Sequence, residues 1–111
     1  MKIELAKKEI IHFIGIGGIG MSGLALIMKA KGFQIQGSDI NKNKNIEKLK
    51  KQGVRIFIGQ KKQNIKDVTI VVTSSAIKKS NPELLEAKRK KLPVIKRGKM
   101  LANLVSLMKN I

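Results

Sequence analysis

A glycine-rich stretch near the start of the chain is the feature with the clearest chemical meaning. Residues 13–25 read FIGIGGIGMSGLA, and this string fits the spacing GxGxxG twice. The two overlapping matches are Gly15, Gly17 and Gly20, and Gly18, Gly20 and Gly23. Glycine permits a tight turn and lets backbone N–H groups approach an oxyanion, while the N-terminus of a following helix adds partial positive charge. The stretch therefore predicts a phosphate or diphosphate site, with positive φ at Gly18, Gly20 or both. The alternative is a turn that only packs a helix against a strand.

Polar residues at the ends of two other predicted strands extend this candidate site. Ser38 and Asp39 end the second strand, about 20 residues beyond the glycines, where dinucleotide-binding folds place a carboxylate that accepts hydrogen bonds from a ribose. Alternatively, either side chain caps the helix that begins near Asn41. Residues 74–77, with the sequence SSAI, end the fourth strand. They are small enough for a ligand to approach closely, although they are also ordinary turn residues.

The elements that must position these residues are short strands alternating with amphipathic helices. Runs rich in β-branched residues predict strands over 9–16, 33–39, 54–59, 68–76 and 92–97. Apolar residues at helical spacing predict helices over 20–31, 43–52 and 98–109, with another that begins near residue 80. This alternation predicts an α/β fold in which helices cover both faces of a parallel sheet.

Local sequence signals predict the buried face and the ends of individual helices and the environment of the one histidine. The first helix places three apolar residues on one face: Leu24, Ile27 and Met28. Gly32 follows it as a C-terminal cap. Ser80 and Glu83 have the spacing of a capping box, with Pro82 in the first turn of the third helix. His12 lies within the first strand and is expected to be a packed or hydrogen-bonded core residue.

The composition limits the classes of protein to which the chain can belong. At 111 residues, it is long enough for one domain with a modest core. The absence of cysteine excludes disulfides and thiolate metal sites. No stretch reaches the ~18 apolar residues of a membrane span, and the first residues do not form a signal peptide. A soluble, cytoplasmic domain is expected.

The net charge of +17 raises the question of nucleic-acid binding, because lysine and arginine neutralise phosphates. Only three of the 24 basic residues are arginine, the side chain that favours bidentate recognition. The aromatic residues Phe13, Phe33 and Phe57 lie in strand-like runs, which predict core positions and not stacking platforms. We therefore expect lysines on solvated faces, and neither nucleic acid nor a membrane as a partner.

Four segments, taken in order, resemble the Mur ligase family, in the branch that joins L-alanine to UDP-N-acetylmuramate. These segments are IHFIGIGGIGMSGLA, GSD, VVTSSAIKKSNPELLEA and LPVIKRGKMLANLVSLMK. The resemblance runs from about Glu9 to Lys109, which is nearly the whole chain. It implies a Rossmann-like three-layer fold with a mostly parallel five-stranded sheet, in which residues 1–111 form one UDP-sugar-binding domain.

The same resemblance implies the positions that contact the substrate. The residues implied to face the diphosphate are Gly17, Gly18, Ile19, Gly20, Met21 and Ser22. Asp39 would face the uridine ribose. The residues implied at the nucleotide edge of the cleft are Ser74, Ser75, Ala76 and Ile77. No residue of the chain is implied to be catalytic or to bind a metal.

Parts of the ligase beyond this domain are implied as well. The resemblance makes the chain an N-terminal fragment of a three-domain enzyme of peptidoglycan synthesis, inactive by itself. ATP, Mg²⁺ and L-alanine would bind elsewhere, with the ATP-binding GxxGKT segment expected shortly after the position of Ile111. Where members of the family often have a histidine after the third strand, this chain has Gly59 and Gln60. An imidazole contact to the ligand is therefore not expected there.

Two other functions are compatible with the residues. A stand-alone NAD-binding regulatory domain would share the strand, the GxGxxG loop and the acidic residue at the end of the second strand. A basic nucleic-acid-binding module would use the positive charge but lacks arginine clusters and exposed aromatic residues. The sequence gives no indication of the oligomeric state.

Overall fold

A computed structural model describes residues 5–109 as a three-layer α/β domain. Its strands are β1 (Ile10–Ile14), β2 (Gln34–Asp39), β3 (Arg55–Ile58), β4 (Ile70–Thr73) and β5 (Val94–Lys96). Its helices are α1 (Ile19–Ala30), α2 (Lys44–Lys51), α3 (Pro82–Arg89) and α4 (Arg97–Lys109), with a turn of 3-10 helix at Lys62–Ile65. Every predicted strand and helix is present, with shorter strands than the sequence indicated.

The sheet has the strand order β3-β2-β1-β4-β5, and all four neighbouring pairs are parallel. The predicted Rossmann-like fold is confirmed, and the sheet of the described residues is entirely parallel. The chain proceeds from β1 outward to β3 and then returns to place β4 on the other side of β1. Such a reversal leaves a crevice at the carboxyl ends of the strands, where ligands of open α/β sheets bind.

Helices cover the two faces of the sheet and form two separate cores. On one face, α1, α2 and α4 pack on β1 through buried residues such as Leu24, Leu49 and Leu104. On the other face, α3 and the 3-10 turn bury Leu84 and Ile65. Alternate residues of β1 point to opposite faces. None of the helices between residues 5 and 109 has the length and apolar content needed to cross a bilayer.

Two of the predicted local features are wrong. The side chain of Ile27 is 46% exposed, so the inward face of α1 contains Leu24 and Met28 without it. The capping residue of α3 is Asn81 and not Ser80, because the Asn81 side chain accepts from the amides of Glu83 and Leu84. Two other expectations are confirmed: Pro82 lies in the first turn of α3, and Gly32 follows α1 with φ of 94°.

The Glu83 side chain is fully buried against the sheet instead of completing a capping box. Its Oε1 lies 2.7 Å from His12 Nε2 and accepts from Ser38 Oγ at 2.6 Å. Its Oε2 accepts from Asn64 Nδ2 at 2.6 Å and from the Lys61 amide at 3.2 Å. A single carboxylate thus joins α3 to β1, β2 and the segment after β3.

The directions of the hydrogen bonds in this network show which ring nitrogen of His12 donates and which accepts. Gln36 Nε2 donates to the carbonyl of Asn64 at 2.9 Å and lies 2.8 Å from His12 Nδ1. Turning the amide around would place its oxygen against that carbonyl, so Nδ1 of His12 accepts a hydrogen bond from Gln36. The hydrogen on Nε2 of His12 is therefore the one donated to Glu83. This arrangement confirms the expectation of a hydrogen-bonded core histidine.

Burial opposes ionisation of Glu83, but the hydrogen bond and electrostatic attraction of His12, together with the hydrogen bonds from Ser38 and Asn64, outweigh it, so the pKa of Glu83 is lowered from its ordinary value of 4.5. The position of Glu83 in the first turn of α3 also favours its negative charge. With a lowered folded-state pKa, the contribution of this carboxylate to stability is complete above the ordinary value. It is lost as the pH falls through the lowered pKa.

We predict that Glu83→Gln lowers the free energy of unfolding by roughly 2–4 kcal/mol at neutral pH, because an amide NH₂ would face donors that need an acceptor. Urea denaturation measures this change. Glu86→Gln is the matched control, since that partly exposed carboxylate pairs only with Arg89 and should have little effect. The difference in the free energy of unfolding between wild type and Glu83→Gln should decrease as the pH falls below 4.5. A difference that stays constant down to pH ~3 would contradict the ionised state of Glu83.

Candidate functional site at the carboxyl edge of the sheet

The turn that follows β1 is made by Gly15, whose φ is 78°. A Cβ at this position would lie 3.1 Å from Ile77 Cδ1, so the loop after β4 packs directly on the turn. Gly18 has φ of −64°, and neither it nor Gly20 has positive φ. The expectation of positive φ at Gly18 or Gly20 is therefore wrong, because the chain reverses earlier, at the first glycine of the motif.

The glycine loop is held to the end of β2 by a hydrogen bond between the Gly17 amide and Asp39 Oδ2, with a length of 2.8 Å. The carbonyl of Gly17 accepts from the side chains of Asn43 and Asn45. Asp39 Oδ1 accepts from the amide of Ile40 at 2.8 Å. Oδ1 also lies 3.5 Å from the amide of Asn41, whereas Oδ2 has no donor other than Gly17 among residues 5–109 and keeps a lone pair that a ligand hydroxyl can use.

Neither residue at the end of β2 caps the next helix. Asn43 caps α2, since its side chain accepts from the Ile46 amide. Ser38 is fully buried and donates to Glu83, which removes it from contact with any ligand. Of the two candidates, only Asp39 is partly exposed at the carboxyl edge.

The first amides of α1 are the donors that this loop leaves available. The Gly18 amide donates to the Gly15 carbonyl at 3.1 Å, so it is already used. The amides of Ile19, Gly20 and Met21 have no acceptor among residues 5–109, as expected for the first turn of a helix. With no acidic residue in that turn, the partial positive charge of the helix end is not offset.

Arg97 adds a full positive charge next to these amides. A Cβ on Gly20 would lie 2.9 Å from Arg97 Cδ and 3.0 Å from Arg97 Nε, so the side chain lies directly over Gly20. No hydrogen bond or ion pair engages the guanidinium within the part of the chain that the structure describes. A guanidinium beside exposed amides is suited to binding phosphate oxygens.

The residues predicted for the diphosphate differ in exposure. Gly18, Ile19 and Gly20 are exposed at the start of α1. Met21 and Ser22 have buried side chains, and Ser22 Oγ donates to the Ile19 carbonyl. Gly17 is buried beneath Asp39. The members of this set are adjacent in space, but only part of their backbone is open to a ligand.

A cleft of about 370 Å³ adjoins the loop, between the ends of β2, β3 and β4. Its lining residues are Gly15, Asp39, Ile40, Gln60, Ala76, Ile77, Lys78, Ser80, Asn81 and Pro82. The cleft brings together Asp39, Ala76 and Ile77 from the predicted set. Ser74 and Ser75 do not line it; the Ser74 carbonyl instead accepts from the Ile77 amide and closes a turn.

The predicted contacts did not include Arg97 or seven of the residues that line the cleft, among them Gly15, Gln60 and Asn81. Arg97 directly follows β5 and is one of only three arginines, so the rule that ligands bind at the carboxyl ends of strands could have identified it. Gln60 was recognised only as a departure from a family pattern. Asn81 gave no signal, because Ser80 is an equally good capping residue in sequence.

The site is equipped to bind an anion and an attached polar ring or sugar. No group of three or more His, Cys, Asp or Glu side chains that could hold a metal occurs in the described part of the chain. His12, the one imidazole, is fully buried and engaged on both nitrogens. Binding and orientation are the functions that this geometry supports.

The family model described as "Mur ligase family, catalytic domain" matches residues 10–109. A UDP-N-acetylmuramate--L-alanine ligase from Pelagibacter ubique is 70% identical over all of this chain, which spans 24% of that relative. The ligase of the same name from Aquifex aeolicus is 54% identical over 90% of the chain and 22% of its own length. The crystal structure of UDP-N-acetylmuramate-alanine ligase MurC from Thermotoga maritima matches with a TM-score of 0.83 and 33% identity, over 87% of this chain and 23% of that one.

We predict that Gly17→Ala destabilises the fold by roughly 1–3 kcal/mol, whereas Gly18→Ala changes stability by less than about 1 kcal/mol. A Cβ on Gly17 would lie 2.8 Å from Asp39 Oδ2 and 3.1 Å from Ile46 Cδ1. At Gly18 the nearest atom, the Gly15 carbonyl oxygen, is 3.4 Å away. Thermal denaturation of the two variants compares these adjacent positions. Equal melting temperatures would contradict the close contact of the loop with Asp39.

Proposed function

Because this chain belongs to the Mur ligase family, we propose that it is the UDP-binding domain of an ATP-dependent ligase that joins L-alanine to UDP-N-acetylmuramate in peptidoglycan synthesis. The chain spans less than a quarter of the length of the curated relatives that it matches. The activity of the whole enzyme, in the cytoplasm, is therefore part of the proposal. Residues 1–111 form its single Rossmann-like nucleotide-binding domain.

The observation that carries this proposal is the combination of unsatisfied amides and a guanidinium at the start of α1. The amides of Ile19, Gly20 and Met21 would donate to diphosphate oxygens, and Arg97 would neutralise their charge. Asp39 would accept from a ribose hydroxyl. The adjoining cleft would hold the nucleoside.

The other predicted residues have supporting roles in this proposal. Gly17 and Gly18 shape the loop, since their amides already donate to Asp39 and Gly15. Ser22 braces the first turn of α1. Ala76 and Ile77 form one wall of the cleft, and the turn of Ser74 and Ser75 supports that wall from outside.

Within the ligase, this domain would orient the substrate and take no part in bond making. The lactyl carboxylate of the sugar nucleotide would attack the γ-phosphorus of ATP, which releases ADP and forms an acyl phosphate. The amine of L-alanine would then displace phosphate and form the amide bond. ATP, Mg²⁺ and L-alanine would bind parts of the ligase other than this domain. Anchoring the distant UDP can still accelerate the reaction by holding the carboxylate in place.

A domain that binds NAD is the second candidate, favoured by the GxGxxG loop and by Asp39 at the end of β2. The ligands of the two candidate functions differ in the group attached beyond the diphosphate. The cleft of about 370 Å³ lies beside the loop on the β2 and β4 side, whereas NAD carries a second nucleoside beyond its diphosphate.

We predict that the chain binds UDP and UDP-N-acetylmuramate weakly, and that NAD does not compete. Binding should be weak because only one domain contacts the ligand. Isothermal titration calorimetry with UDP, UDP-N-acetylmuramate, NAD and NADH measures the order of affinity. Tighter binding of NAD than of UDP would favour the second candidate and contradict the ligase proposal.

We predict that Arg97→Gln weakens UDP binding by roughly 10- to 150-fold, since a charged hydrogen bond to phosphate contributes about 1.5–3 kcal/mol. Arg55→Gln is the matched control. It removes the same charge at the opposite edge of the sheet, where Arg55 borders Gln34 and Asp67. If both variants weaken UDP binding equally, net charge and not the position of Arg97 determines the affinity.

A further inference from the structure

The side chain of Gln60 lines the cleft and belongs to a segment with little freedom to move. The Gly59 amide donates to the Asp39 carbonyl at 2.8 Å, which ties the end of β3 to the end of β2. The Lys61 amide donates to the buried carboxylate of Glu83, on the other side of Gln60. Asn64 binds both the Gly59 carbonyl and Glu83. Gln60 is therefore held from both sides by backbone hydrogen bonds.

The orientation of the Gln60 amide follows from the cap of α3. Asn81 Oδ1 accepts from the amides of Glu83 and Leu84, so the other end of the Asn81 side chain is its NH₂. That NH₂ donates to Gln60 Oε1 at 2.7 Å. Two donors would meet if the Gln60 amide were turned around. The NH₂ of Gln60 is thus the end left for a ligand, and it has no acceptor among residues 5–109.

The cleft consequently offers a hydrogen-bond donor from the segment after β3 and an acceptor from the end of β2. The donor is Gln60 Nε2, and the acceptor is the carboxylate of Asp39, which lines the same cleft. Ligand pockets obtain specificity from a few polar groups of this kind. Lys78, Ser80 and Asn81 also line the cleft, and Ile40, Ala76 and Ile77 contribute apolar surface.

We propose that Gln60 makes this site selective for a pyrimidine with a carbonyl group at ring position 4, the group that distinguishes uracil from cytosine. The NH₂ of Gln60 donates to the O4 of uracil. Cytosine has an NH₂ at that position, so two donors would face each other without an acceptor. The inference rests on the proposed function for the presence of the nucleotide, and it adds the residue that selects the base.

The ratio of UDP affinity to CDP affinity tests this inference, because the two ligands share the ribose and the diphosphate. We expect the affinity of the wild-type chain for UDP to exceed its affinity for CDP by about tenfold or more. With UDP the NH₂ of Gln60 meets an acceptor, whereas with CDP it meets another donor. In Gln60→Glu, the carboxylate can still accept from Asn81 but can no longer donate to O4. Its UDP affinity should fall by about tenfold, while CDP, whose NH₂ can donate to the carboxylate, should bind as well as before or better.

Gln63→Glu is the matched control, because it introduces the same charge on an exposed residue of the 3-10 turn outside the cleft. Calorimetry on the three chains should give a UDP preference in wild type and Gln63→Glu, and a lost or reversed preference in Gln60→Glu. A wild-type chain that binds UDP and CDP equally would overturn the inference while leaving the proposed function intact. This measurement on wild type does not depend on whether a variant folds. An unchanged ratio in folded Gln60→Glu would overturn it in the same way. Binding of neither nucleotide to wild type would contradict the proposed function and, with it, this inference.

Discussion

The buried carboxylate of Glu83 is the interaction on which the arrangement of the site depends. Burying a charge is strongly unfavourable unless hydrogen bonds replace its hydration. Here four donors do so, from β1, β2 and the two positions after β3. Because those donors belong to separate elements, the requirement to satisfy one carboxylate fixes the position of α3 relative to the sheet. Asn81 and Gln60, which line the cleft, are positioned as a consequence.

The backbone amides of the glycine loop fall into two groups: those that form hydrogen bonds within the protein and those that remain available to a ligand. The first glycines of the motif use their amides internally, in bonds to Ser38, Asp39 and Gly15. These bonds fix the loop before the first turn of α1. The amides of Ile19, Gly20 and Met21 follow without acceptors among residues 5–109, and the Arg97 side chain lies over Gly20. A rigid loop needs little reorganisation to receive an anion, which is the condition for an efficient phosphate site.

Much of the fold could be predicted from the sequence because its signals are local. Strand runs, helical spacing and the glycine after β1 identify a doubly wound sheet, and the position of Asp39 at a strand end follows from the same pattern. Contacts between distant residues leave no such trace. Glu83 and His12 are separated by 71 positions, and the spacing of Ser80 and Glu83 predicted a local capping box where the structure buries the glutamate against the sheet. Likewise, GxGxxG identifies a phosphate loop but not which glycine adopts positive φ, since that depends on the loop from β4 that packs on Gly15.

The central claim is that the first turn of α1 holds the diphosphate of a uridine nucleotide, and amide chemical shifts test it most directly. In a titration of the ¹⁵N-labelled chain with UDP, the amide signals of Ile19, Gly20 and Met21 should move most and reach saturation together. The Gly15 amide, which is bonded to the Ser38 carbonyl, should move little. Shifts confined to the lysine-rich surface of α2, or saturation of UDP binding without movement of the three amides, would contradict the account.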